Sequence, residues 1–166
     1  LLVGHDGTAY GKGRSDGRGW AEWARESLPL DPCRTHWLGS LQENDYHQVL
    51  ACSDVHLYLT VPFVLSWSLL EAMAAGCALV ASATPPVQEV LEHGRTALLV
   101  DFFDMDSQVQ AIHRLLEDKN LSRNLGAAAQ NTASAYSMKT AQMSWDGLLT
   151  GWTVDEMDTN LHSPVG

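Results

Sequence analysis

The stretch from Tyr58 to Ser82 constrains the fold more than any other part of the chain. An apolar run ends at Thr60, and the turn Val61-Pro62-Phe63-Val64-Leu65 follows. A helical pattern then opens near Ser66 and stops at Gly76, a natural residue for a left-handed helix end. Ala78–Ser82 is again short and apolar. In open α/β sheets, ligands bind where strand C-terminal ends meet helix N-termini. The first free amides of such a helix, together with its dipole, attract phosphate. Ser66 and Ser68 stand where hydroxyl donors would help. Glu71 lies about one and a half turns inside the helix. An ionised carboxylate only accepts hydrogen bonds, which suits a vicinal diol such as a ribose.

The same alternation runs along the rest of the chain and predicts an α/β fold with a parallel sheet wrapped by helices. Strands are expected at Leu1–Val3, His36–Leu38, Val55–Thr60, Ala78–Ser82 and Ala97–Val100. Trp20, Trp23, Ala24 and Ser27 recur at helical spacing, as do Tyr46, Val49 and Leu50, and the tryptophans read as core. Further helices are expected from Pro85-Pro86 to Gly94, after an Asp106 cap, over Leu121–Tyr136 and over Thr140–Leu149. Gly4–Gly19, with six glycines, Lys12, Arg14 and Arg18, reads as a long solvated loop. Residues 1–149 are therefore read as one domain. Residues 150–166, with Trp152 their only large anchor, are read as a docking tail or a disordered one.

Composition excludes several functions. Ten Lys and Arg against 20 Asp and Glu give a formal charge of −10, which argues against nucleic acid as a partner and against an electrostatic membrane anchor. Cys33, Cys52 and Cys77 are far apart and odd in number, which fits a reduced compartment. His36, His56 and His93 show no metal-ligand spacing, so no metal is expected. Asp101–Asp106 lacks the glycine and the closing glutamate of a calcium loop and reads as a strand-to-helix turn. Cys77 opens a buried strand and reads as a small hydrophobe. The chain opens at Leu1 rather than Met, on what reads as the second half of a strand-to-loop unit, so a piece of a longer protein is expected.

The run Leu69-Leu70-Glu71-Ala72-Met73-Ala74-Ala75-Gly76-Cys77-Ala78-Leu79-Val80-Ala81-Ser82, followed by Pro85–Gly94 and Ala97–Val100, resembles the donor-binding core of family 4 glycosyltransferases. The likeness extends over about Leu1–Leu149, and its order and spacing are most specific over Phe63–Gly94. It implies the C-terminal, Rossmann-like half of a GT-B enzyme, lacking its first strand in this chain, whose substrates are nucleoside-diphosphate sugars used without cofactor or metal. Transfer with retained configuration, in bacterial glycan or glycolipid synthesis, is implied as well. The implied setting is cytoplasmic, or peripheral at the inner membrane face in a longer parent.

Residue by residue, the resemblance makes Glu71 the ribose ligand and puts Leu65, Ser66, Trp67 and Ser68 at the donor phosphates. Gly39, Ser40 and Leu41 would frame the base. Phe63 stands where the family has its first glutamate, so no catalytic residue is assigned. The family's arginine and lysine loop, its first C-terminal-domain strand and its N-terminal acceptor domain would all precede Leu1. This chain alone is then expected to be inactive, and strand exchange would make a homodimer. Two other readings remain open: a non-catalytic nucleotide-binding or assembly module, and a sugar-nucleotide epimerase.

Overall fold

The computed structural model describes residues 1–7 and 13–150, so Lys12, Trp152 and the expected tail from 151 onward lie outside the described residues. The chain divides into two units, Leu1–Val49 and Leu50–Gly166.

In the first unit, β1 (Leu2–Val3) pairs in parallel with β2 (Trp37–Gly39). Between them in sequence lies α1 (Trp20–Ser27), and α2 (Glu43–Ala51) starts after β2. The start of α1 is satisfied from a distance, because the Asp6 carboxylate accepts from the amides of Ala21 at 2.9 Å and Glu22 at 3.1 Å. The Ala21 bond is the main reason the Asp6 carboxyl titrates below its ordinary range.

No residue of α1 is buried, which corrects the core reading of Trp20 and Trp23. Their rings meet edge to face at 6.0 Å, and the Arg14 guanidinium lies 5.0 Å from each. A two-stranded sheet is too small to cover two indoles, and a stacked cation takes the place of apolar cover. Arg14 and Arg18 both bond Asp16, so in the described part of that segment these cations are held by ion pairs and, for Arg14, by the two rings.

The second unit holds the core. Strands β3 (His56–Tyr58), β4 (Leu79–Ser82) and β5 (Leu98–Val100) form a parallel sheet in that order, with Leu57 opposite Val80 and Ala81 opposite Leu99. All four residues of the central strand are buried, as expected of a parallel strand covered on both faces. Val80, Leu98 and Val100 pack with Ala111, Leu115 and Leu125, which come from α5 (Met105–Glu117) and α6 (Lys119–Ala133). Connecting β3 to β4 is α3 (Trp67–Ala74), which buries Leu69, Ala72 and Met73. Cys77 is buried and its thiol donates to the Leu50 carbonyl, in keeping with a packed small side chain.

Several boundaries differ from the sequence reading. The helix at Pro85-Pro86, α4 (Pro85–Gln88), is a single turn and does not reach Gly94. Glu92 donates its amide to the Thr96 hydroxyl, and His93 bridges to Ala97, so a tight turn replaces the expected second half. Asp104 rather than Asp106 caps α5, accepting from the Ser107 amide at 3.0 Å. After α6 comes a 3₁₀ turn (Ser134–Tyr136), and then α7 (Met138–Thr150). Among the described residues no helix is long and apolar enough to cross a membrane.

Candidate functional site

The turn between β3 and α3 is organised by three contacts that tie strand ends to the helix start. The Thr60 amide donates to the Ser82 hydroxyl at 2.8 Å, locking the end of β3 to the buried end of β4. Ser66 donates its amide to the Tyr58 hydroxyl at 3.3 Å. Ser66 also caps α3, its hydroxyl accepting from the Ser68 amide at 3.3 Å. Its Oγ lies 2.8 Å from the Ser68 Oγ, so the two hydroxyls face each other.

These contacts narrow what the turn can offer an anion. The amides of Ser66 and Ser68 are engaged, while among the described residues those of Leu65 and Trp67 have no acceptor. Both lie at the positive end of the helix dipole. Glu71 lies on the same helix, half-buried, and its carboxylate has no hydrogen-bond or ion-pair partner among the described residues. Phe63, where a glutamate stands in the resembled family, is 57% exposed on the turn and offers only a ring. Leu65, Ser66, Trp67, Ser68 and Glu71 are thus brought together on one turn and one helix.

Gly39, Ser40 and Leu41 belong to the first unit. Gly39 adopts φ 65, which favours glycine, and Gly39 and Ser40 line a cavity of about 430 Å³ with Trp20, Arg25 and Trp37. The cavity lies at the C-terminal ends of β1 and β2, where parallel strands present ligand sites. Arg25 stacks 4.5 Å from the Trp37 ring and forms part of this wall.

Sequence reasoning missed Tyr58, Ser82 and Thr84. Thr84, at 6% exposure, follows β4 and keeps its Oγ1 buried without a partner. The available signal was polar residues terminating otherwise apolar strands, at the end of the sheet where sites form.

Comparison with known proteins agrees with this architecture. The family Glycosyl transferases group 1 matches residues 32–132. N-acetyl-alpha-D-glucosaminyl L-malate synthase of Bacillus anthracis is 31% identical over 91 residues, covering 55% of this chain and 24% of that protein. A GDP-mannose-dependent alpha-(1-6)-phosphatidylinositol monomannoside mannosyltransferase of Mycobacterium tuberculosis is 34% identical over 79 residues, 48% of this chain and 19% of its own length. The chain therefore spans about a quarter or less of these relatives.

Among solved structures, Anabaena Alr3699/HepE in complex with UDP superposes with a TM-score of 0.68 at 23% identity, covering 80% of this chain and 35% of that one. Sucrose-phosphate synthase from Thermosynechococcus elongatus gives 0.68 at 25% identity, covering 91% and 38%. The expected α/β fold with parallel strands, of the GT-B type, is borne out. With the family match covering more than half its length, the chain belongs to the group 1 glycosyl transferases.

Proposed function

We propose that this chain is the donor-binding part of a glycosyltransferase and takes a nucleoside-diphosphate sugar at the start of α3. The observation that carries the reading is the pairing, on one helix, of open amides at Leu65 and Trp67 with the unpartnered carboxylate of Glu71. The amides and the helix dipole match a diphosphate, and Glu71 matches the ribose diol. As the glycosidic bond to the sugar breaks, negative charge grows on the departing diphosphate. Fixed amides stabilise that charge without reorganising, which lowers the barrier. Transfer with retained configuration to a glycan or glycolipid acceptor, without a metal, belongs to the same proposal. Base recognition by Gly39, Ser40 and Leu41 is a separate proposal for the first unit.

Calorimetric titration with UDP, GDP and ADP tests the donor site. At least one should bind, and Glu71→Ala should weaken it about tenfold or more, as expected for loss of a charged acceptor. Silence of the folded chain toward all three would sink the reading, and unchanged affinity in Glu71→Ala would remove the ribose role. Phe63 favours a second reading, a nucleotide-binding module without chemistry. Binding of a nucleotide sugar that is never turned over, even with the remaining portion of a group 1 enzyme supplied, would select it.

A further inference from the structure

A groove of about 350 Å³ runs between one face of α3 and the end of α6. Trp67, Leu70, Glu71 and Ala74 line it from α3, and Gln130 and Tyr136 line it from the opposite side. Trp67 is 78% exposed and Tyr136 is 47% exposed, so both rings are open to a ligand. Glu71 contributes a carboxylate without a partner to the same wall. Gln130 is held in place by its donation to the Ala74 carbonyl at 2.9 Å, which leaves its amide oxygen available as an acceptor.

We propose that this groove is a saccharide subsite, taking a pyranose ring of a neutral glycan on Trp67 and Tyr136. The electron-rich face of an aromatic ring attracts the C–H face of a sugar, and the sugar's edge presents hydroxyl donors. Glu71 and the Gln130 oxygen are acceptors that such donors require. A purely apolar occupant would use the rings and leave Glu71 desolvated and unpaired, which is costly. An anionic group seated in the groove itself would lie against the Glu71 carboxylate, which opposes it locally. The proposal goes beyond the donor reading and shares two residues with it: Trp67, whose amide serves the donor and whose ring serves the groove, and Glu71, whose two oxygens can accept from more than one hydroxyl.

The test uses the full chain with maltotriose and methyl α-glucopyranoside as probes, followed by saturation-transfer NMR, with UDP measured separately by calorimetry. Maltotriose should receive saturation through its ring C–H protons, and Trp67→Ala and Tyr136→Ala should each weaken it about fivefold. Trp67→Phe should restore most of the loss, and Tyr136→Ala should leave UDP affinity unchanged. Several outcomes overturn the proposal. They are no transfer to either sugar, sugar binding indifferent to both ring deletions, preference for choline over sugars, and a groove closed by self-association of the chain. Loss of UDP binding in Tyr136→Ala would give the groove to the nucleotide and overturn it as well. Because UDP is read independently, failure here leaves the donor reading intact, and the reverse also holds.

Discussion

Gly126 on α6 lies directly against the carbonyl of Gly76, the residue that ends α3 in a left-handed conformation at φ 76. A Cβ at Gly126 would overlap the Gly76 oxygen and come within 3.2 Å of its carbonyl carbon and 3.5 Å of that of Cys77. All of these atoms are backbone, so no side chain can swing aside. This approach seats α6 across the end of α3, and Gln130, one turn further on, bonds the Ala74 carbonyl. The helix that carries Glu71 is thereby held from its C-terminal end as well as from its Ser66 cap.

Gly126→Ala should therefore destabilise the second unit by about 1–3 kcal/mol, the usual cost of overpacking. Chemical denaturation followed by far-ultraviolet dichroism would measure it. An unchanged midpoint would mean that α6 does not approach this closely.

Ser66→Ala removes the cap of α3 and should cost about 1 kcal/mol. Ser66→Asp keeps an acceptor for the Ser68 amide and should preserve stability. It also places a negative charge beside the open Trp67 amide, so it should weaken UDP binding even though the fold is intact. Calorimetry and a thermal melt on both variants separate the two effects.

His56, half-buried at the start of β3, titrates below its ordinary value because burial penalises the charged ring. The folded pKa is depressed relative to about 6.5 in the unfolded chain, so the unfolded state binds the proton more readily. Stability from this group is present above about pH 6.5 and is lost as pH falls through the interval between the two values. The denaturation midpoint should drop between pH 7.5 and 5.5, and His56→Gln should flatten that part of the profile. An identical slope in the variant would assign the pH dependence elsewhere.

Thr84→Val replaces a buried, unpartnered hydroxyl with a methyl group of the same shape. Removing an unsatisfied polar group should leave stability unchanged or raise it by about 1 kcal/mol. A loss larger than that would reveal a hydrogen bond at Thr84.

Much of this architecture was legible in the residues. Leu79–Ser82 is apolar without alternation because the strand is buried on both faces, and Gly76 marks a helix end because only glycine turns left at little cost. Glu71 could be placed on the helix that follows the β3–α3 turn from spacing alone, since helical rise is regular. Boundaries at Pro85–Gly94 and Asp104–Asp106 were not legible, because several residues there can cap or turn and long-range bonds select among them.

Local pattern determined the α/β class, the strand-turn-helix unit and the residue types that an anion and a diol would meet. The folded turn decided which amides stay open at Leu65 and Trp67, since the Tyr58 hydroxyl takes up the Ser66 amide and the Ser66 hydroxyl takes up the Ser68 amide. Tertiary structure decided that Trp67 and Tyr136 border one groove with Glu71. The physical reason is range. Periodicity and capping act over a few residues, whereas a groove bordered by Trp67 and Tyr136 is defined by residues distant in sequence and brought close only by packing.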